Sequence, residues 1–262
     1  MLDFKNKEYL QSEYLEKRRT LDDIAREFNT SGKHVAYYVS KYRLQKGSHS
    51  NLRVNKDNLF KWSNPVFNYM AGLILTDGYL DVKNNRLCLR VCNEGSFKVL
   101  NELRDYFKID SPVHIIKRAQ YKDCNDLTFK SVKLYKVLAK AGIEGLKNIR
   151  SFDCEFIQSL SVNCQAMFFR GILDGDGSIR KSGTYRIAML SEEIIENHLK
   201  FINDLLHTNY QVKYQRNSSY KHKYPSIELH KEDSLKWFNL VYSNFPKFRF
   251  SDKYFRYQSI SW

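Results

Sequence analysis

The apolar positions change period along the chain, and the changes mark out elements. Over residues 7–44 the spacing is helical. Leu10, Tyr14 and Leu15 share one side of Glu8–Lys17. Leu21, Ile24, Ala25 and Phe28 share one side of a second stretch, and Val35, Tyr38, Val39 and Tyr42 stripe a third. Thr20-Leu21-Asp22-Asp23 is a capping-box pattern in which Thr20 accepts from the Asp23 N–H, and Asn29-Thr30-Ser31 supplies a turn and a new N-cap. Three short helices are predicted, the last two joined by a tight turn. Residues 45–63 lose this periodicity. They hold Gly47, serines, asparagines and scattered positive charge, and read as a basic linker.

Beyond the linker the pattern repeats. Met70-Ala71-Gly72-Leu73-Ile74-Leu75-Thr76-Asp77-Gly78 and Phe169-Arg170-Gly171-Ile172-Leu173-Asp174-Gly175-Asp176-Gly177 are both helical in pattern, with Asp77 and Asp176 99 residues apart. Hairpin signals follow at Asn84-Asn85 and Ser182-Gly183. Alternating strands then carry Leu87, Leu89 and Val91 in one copy and Tyr185, Ile187 and Met189 in the other. Asn93-Glu94 and Ser191-Glu192 read as N-caps of two further helices. Strands are predicted near 113–118 and 127–130, and near 211–216 and 227–230, with closing helices at 132–141 and 234–242. Each copy is thus helix, two strands, helix, two strands, helix. The fold class is α+β, with two pseudo-symmetric αββαββα halves after a small all-α domain. The predicted boundaries are 1–46, 47–63 for the linker, 64–145 and 146–262. Helices cover one face of each antiparallel sheet. The uncovered faces are predicted to carry Asp81, Lys83, Arg86, Arg90, Lys117, Arg180, Arg186 and Lys213.

Charge points to the partner of those faces. The chain has 43 Lys+Arg against 29 Asp+Glu, a net +14, yet 42% of it is hydrophobic, so it is no disordered polybasic tail. A basic open sheet suits a DNA groove, so double-stranded DNA is the expected partner. A further share of the charge lies at Lys247, Arg249, Lys253 and Arg256. No apolar run approaches the roughly 18 residues of a membrane span, and Met1-Leu2-Asp3-Phe4-Lys5 is no signal sequence. Cys88, Cys92, Cys124, Cys154 and Cys164 are odd in number and include no CxxC pair. Neither a disulfide scaffold nor a zinc ribbon is expected, and the compartment reads as reducing, that is, cytoplasmic.

The repeated nonapeptide carries the chemistry. Glycine inside a helix costs about 1 kcal/mol against alanine, and close approach of two helix backbones is a reason to keep it. Gly78 and Gly177 fit the helix C′ position, where φ is positive. Paired helices would set Asp77 and Asp176 side by side at two C-termini, where the dipoles are negative and the carboxylates repel. A divalent cation such as Mg²⁺ resolves that conflict, and the predicted reaction is phosphodiester hydrolysis.

Two resemblances follow from these residues. Residues 20–44 resemble the helix-turn-helix of bacterial and phage DNA-binding proteins, with Lys33, His34, Tyr37 and Lys41 on the recognition helix. Residues 64–262 resemble the two-motif LAGLIDADG homing endonucleases. That likeness implies a saddle of two sheets on DNA and metal binding by the last acidic residue of each motif, Asp77 and Asp176. It further implies help from the backbone carbonyls of Thr76 and Gly175, and a basic residue late in each half. Lys130 and Lys231, 101 residues apart, fill that last role by alignment. The chain departs from the motif at Leu75, opposite Asp174, and at Met70, Phe169 and Arg170. The implied protein is a monomeric, Mg²⁺- or Mn²⁺-dependent double-strand DNA endonuclease. It has no splice-junction residues, and so would be free-standing or intron-encoded. A non-cleaving DNA-binding regulator and an RNA maturase on the same fold are the alternatives.

Overall fold

A computed structural model describes residues 3–16, 19–42, 44, 54–92, 95–117, 122–144, 151–189, 191–216, 223–242 and 247–259. The chain divides into two compact units, Met1–Asn51 and Leu52–Trp262, each with its own apolar core. Among the described residues, no helix is long and apolar enough to cross a membrane.

The first unit is helical. Helix α1 (Lys7–Leu10) runs into a π-helical stretch, Gln11–Glu16, and is followed by α2 (Leu21–Glu27) and α3 (Gly32–Lys41). The capping box forms as predicted: the Thr20 side chain accepts from the Asp23 N–H, and the Asp23 side chain accepts from the Thr20 N–H. Ser31 caps α3 by accepting from the His34 N–H. Ile24, Ala25, Val35 and Val39 bury together with Phe4, Tyr9, Leu10 and Leu44.

The second unit contains both repeats. In the first, α4 (Pro65–Asp77), β1 (Gly78–Asp81), β2 (Arg86–Val91), α5 (Ser96–Phe107), β3 (His114–Ile116), β4 (Cys124–Lys130) and α6 (Val132–Ala139) follow in order. After α7 (Cys154–Gln158), the second has α8 (Val162–Gly175), β5 (Gly177–Ile179), β6 (Tyr185–Ala188), α9 (Glu192–Leu206), β7 (Lys213–Arg216), β8 (Lys223–Glu228) and α10 (Lys231–Tyr242), with α11 (Ser251–Ser259) appended. The sheets are antiparallel, ordered β1-β2-β4-β3 and β5-β6-β8-β7. Leu87, Leu89, Val91, Leu127 and Phe129 line the covered face of the first sheet, and Tyr185, Ile187 and Ile227 that of the second. Helices α4 and α8 are buried almost throughout, so one continuous core spans both repeats.

Several expectations need correction. Val54–Ser63 is not linker. Val54 pairs with Ile109, Asp57–Leu59 form a 3₁₀ turn, and Phe60 and Trp62 enter the core. Residues 45–53 lie outside the described residues. Helix α5 is capped by Gly95 at φ +83°, with Asn93 and Glu94 outside the described residues. Gly78 does not take positive φ: it is extended at φ −82° because α4 passes straight into β1. Its need is steric, since a Cβ there would lie 2.5 Å from the Ile74 carbonyl oxygen. Gly177 likewise stays out of the left-handed region, and a Cβ would meet Leu173 at 2.7 Å. Cys92 and Cys124 form a disulfide. They follow the Val91–Asn125 pair of the β2–β4 ladder, a proximity that their separation of 32 residues hides.

Candidate functional site

The site starts from the contact of two backbones. A Cβ on Gly72 would collide with the Phe168 carbonyl oxygen and stand 2.9 Å from the Ile172 nitrogen; one on Gly171 would collide with the Tyr69 carbonyl oxygen and stand 2.8 Å from the Leu73 nitrogen. Only glycine permits α4 and α8 to approach this closely. One turn further on, a Cβ on Gly175 would strike the Thr76 hydroxyl and lie 3.0 Å from Asp77 Oδ2. The helix ends therefore meet, with Asp77 the last residue of α4 and Asp176 capping α8. Both aspartates are half-buried. Thr76 is fully buried and donates its hydroxyl to the Leu73 carbonyl at 3.1 Å.

A third charged group, counted in the sequence with the C-terminal share of positive charge, lies at this junction. Lys253, the third residue of α11, is only 8% exposed. Its Nζ donates to the carbonyl oxygens of Leu173 at 2.7 Å and Gly175 at 3.1 Å, and also to that of Asp174. Burial lowers its pKa below the ordinary lysine value, opposed by the charges of Asp174, Asp252, Asp77 and Asp176. An ammonium at a helix C-terminus meets the negative end of the dipole and satisfies carbonyls left without intrahelical partners. The Gly175 carbonyl assigned to a metal is thus already an acceptor from Lys253.

Behind Asp176 lies an ionic cluster present in one repeat only. Asp174 is fully buried and accepts from Tyr69 Oη at 2.8 Å, Tyr242 Oη at 3.3 Å and the Phe250 N–H at 3.0 Å. Burial pushes its pKa up to about 6. Buried Arg170 donates Nε to the Val241 carbonyl at 2.5 Å and Nη1 to that of Lys247 at 3.2 Å. The α4 counterpart of Asp174 is Leu75, fully buried in the apolar core.

The two lysines assigned by alignment are not equivalent. Gly78 pairs with Leu89 and Leu89 with Leu127; Gly177 pairs with Ile187 and Ile187 with Ile227. Counting on from those pairs, Lys130 at the end of β4 corresponds to His230. Lys231 instead opens α10 as an exposed residue.

The uncovered sheet faces carry charge that is largely paired. Arg86 Nη2 lies 3.5 Å from Asp81, Arg90 Nη2 2.8 Å from Asp126, and Arg180 Nη1 2.7 Å from Glu228. Burial alone would raise the Asp126 carboxyl, but hydrogen bonds from Cys88, Thr128 and Arg90 hold it below the usual carboxylate range. Arg186 is half-buried beside Glu228 in register, and Lys213 is exposed opposite Ser226. Lys83 lies in the 3₁₀ turn joining β1 to β2, off the strands. Lys117 follows β3, and its parity matches Ile115; His114 and Ile116 share the face of Arg90. In the first unit Lys33, His34, Tyr37 and Lys41 are all exposed on α3. The His34 ring packs on Phe4 with centroids 5.2 Å apart, and its Nδ1 lies 3.1 Å from Thr30 Oγ1.

The fold is shared by solved structures. The chain is similar to the homing endonuclease I-WcaI, determined bound to its DNA recognition sequence, with a TM-score of 0.56 at 16% identity over 77% of this chain and 89% of that one. Full-length DUF199/WhiA from Thermatoga maritima gives 0.49 at 17% identity over 72% and 62%. I-DmoI in complex with DNA and Mn gives 0.47 at 19% identity over 69% and 98%. No protein-family model matches the sequence, and no curated protein sequence matches it. The fold is that of the LAGLIDADG homing endonucleases.

Among the described residues, no cluster of three or more His, Cys, Asp or Glu could hold a metal ion. A cation at Asp77 and Asp176 would draw its remaining ligands from backbone carbonyls, water or substrate. The chemistry of the donors fits one: Asp77 and Asp176 offer hard carboxylate oxygens, half-buried, at two helix C-termini.

Proposed function

We propose that the protein is a site-specific endonuclease that hydrolyses both strands of double-stranded DNA with Mg²⁺, or Mn²⁺ in its place. The observation that carries this reading is the pairing of Asp77 and Asp176 at two helix ends, forced together by glycines and backed by a buried ammonium. Asp77 and Asp176 would hold the cation, with the Thr76 and Gly175 carbonyls as further candidate ligands. The bound cation supplies Lewis-acid stabilisation of the phosphate and its leaving oxygen. Asp77 and Asp176 fix where the scissile phosphates sit. Lys253 holds the last turn of α8 and offsets the charge that repels a phosphodiester. It takes the role that alignment gave to Lys231, while Lys130 would face the substrate from the first sheet. The basic residues Arg86, Arg90, Arg180, Arg186 and Lys213 of the sheets, with Lys83 in the turn between β1 and β2, would contact the duplex. The first unit would extend the site through Lys33, His34, Tyr37 and Lys41 as a helix-turn-helix. One chain supplies both halves, so a monomer suffices, and its unlike halves suit an asymmetric target.

One observation favours a second reading. Lys253 already engages the Gly175 carbonyl, so positive charge that a metal would supply is already present at the centre. The deciding experiment selects duplexes bound by the full-length chain and incubates them with Mg²⁺, comparing wild type with Asp77→Asn and Asp176→Asn. Cleavage by wild type and its loss in both variants supports the nuclease. Specific binding without metal-dependent cutting supports the regulator. Unimpaired cutting by Asp176→Asn would overturn the mechanism, and binding to structured RNA but not to duplex DNA would favour a maturase.

A further inference from the structure

The uncovered face of the first sheet holds one arginine in an unusually complete setting. Arg90 donates both Nε, at 3.1 Å, and Nη2, at 2.8 Å, to Asp126 Oδ2. Asp126 is only 6% exposed, although it lies on the uncovered face. Its carboxylate also accepts from Thr128 Oγ1 at 2.7 Å and Cys88 Sγ at 3.1 Å. Four donors from three side chains of β2 and β4 therefore lock a buried carboxylate, and the carboxylate locks the guanidinium. The arginine side chain itself remains 47% exposed.

Arginine presents five N–H donors in a rigid fork. Asp126 takes the Nε–Nη2 edge and leaves the end-on Nη1–Nη2 edge. That edge matches the paired O6 and N7 acceptors that guanine alone presents in the major groove. An arginine reaching for phosphate gains little from such buttressing, because a phosphate accepts from many directions. A base edge accepts from one. The second repeat has no such device at this row: in register, Ala188 stands for Arg90 and Ser226 for Asp126.

We infer that Arg90, oriented by Asp126 and Thr128, reads one guanine in the half-site under the first sheet, and that the other half-site has no matching requirement. This rests on the DNA-endonuclease reading. Asp126 and Thr128 are positioning residues, and Arg90 makes the contact.

The test is a binding selection from a randomised duplex library, with the full-length chain and metal chelated. Wild type is compared with Arg90→Ala and Asp126→Asn. Expected is one position at which wild type demands guanine, lost in Arg90→Ala and weakened in Asp126→Asn, with the other positions kept. Replacing that guanine by 7-deazaguanine should weaken wild-type binding about tenfold or more, since a bidentate contact loses its N7 acceptor. This probe needs no variant to fold. The inference falls if Arg90→Ala weakens all sequences equally and lowers the salt slope by about one, the mark of a phosphate contact. It falls too if the lost preference is for another base, or if 7-deazaguanine binds as guanine does. A wild type that selects no duplex sequence overturns this inference and the endonuclease reading together. A selected site that is indifferent to Arg90 overturns this inference alone.

Discussion

Gly171→Ala should pry apart α4 and α8, and its cost can be worked from the structure. The added methyl would collide with the Tyr69 carbonyl oxygen and lie 2.8 Å from the Leu73 nitrogen. Both obstacles are backbone, so no side chain can swing away. Restoring ordinary contact of about 3.5 Å requires the helices to separate by roughly 1 Å. Overpacking against rigid neighbours costs about 3 kcal/mol, and alanine returns about 1 kcal/mol of helix propensity, for a net loss of about 2 kcal/mol. Trp62 and Trp237 are both buried in the second unit, so tryptophan fluorescence follows its unfolding. With a urea slope of about 3 kcal/mol per molar, the midpoint should fall by roughly 0.7 M. Cleavage should suffer more than stability, since a displacement of about 1 Å at a reacting centre can cost about a hundredfold. Gly32→Ala is the control, because its methyl meets only the end of the Asp22 side chain, and far-UV circular dichroism should report no loss of stability. A midpoint for Gly171→Ala at or above wild type would refute the backbone contact on which the site is built.

Asp77→Asn and Asp176→Asn should abolish cleavage while leaving urea midpoints equal or slightly raised, because each removes a negative charge from a helix C-terminus worth about 0.3–1 kcal/mol; a fall in stability that explains the lost activity would count against a metal role. Lys253→Met strips donors from three carbonyls beside buried Asp174, and a loss of about 3 kcal/mol is expected in chemical denaturation. Buried His198 has a pKa lowered to about 3 by desolvation, so the unfolded chain binds its proton first, and stability is lost as pH falls from about 6.5 towards 3. His198→Leu should flatten that acid limb in a pH series of midpoints. Asp174 has the opposite sign: its pKa is raised to about 6, so its charge weakens the fold as pH rises from about 4 to 6, and Asp174→Asn should remove that slope.

Both motif helices and the strand alternation were legible because periodicity and burial express the same pattern. Leu87, Leu89 and Val91 had no other face on which to hide. Phe60 and Trp62 were not legible, since aromatic residues without period give no element to assign. The offset between repeats also drifts. It is 99 residues at the aspartates, 98 from Leu89 to Ile187 and 100 from Leu127 to Ile227, so the 101-residue offset that matches Lys130 to Lys231 departs from the strand register, in which Lys130 corresponds to His230. Lys253 reads in the sequence only as part of the C-terminal positive charge, because lysine is by default a surface residue and its partners lie 78 to 80 positions away. Strand alternation places Arg86 and Arg90 on the open face of the first sheet, but the carboxylates Asp126 and Glu228 that hold Arg90 and Arg180 come from strands whose register no local pattern states.

The hydrogen bond from Tyr69 to Asp174 has a consequence for assembly. Two helices with glycine seams could in principle pair with copies of themselves, giving α4–α4 or α8–α8 dimers between chains. In an α8–α8 pair, Phe168 would stand where Tyr69 does, and each Asp174 would be buried without that phenol. In an α4–α4 pair, each Tyr69 would face Leu75 and strand its hydroxyl. Only the α4–α8 combination satisfies both groups. The bond therefore acts as a keyed joint, favouring the mixed α4–α8 pair over like-with-like pairing of either helix.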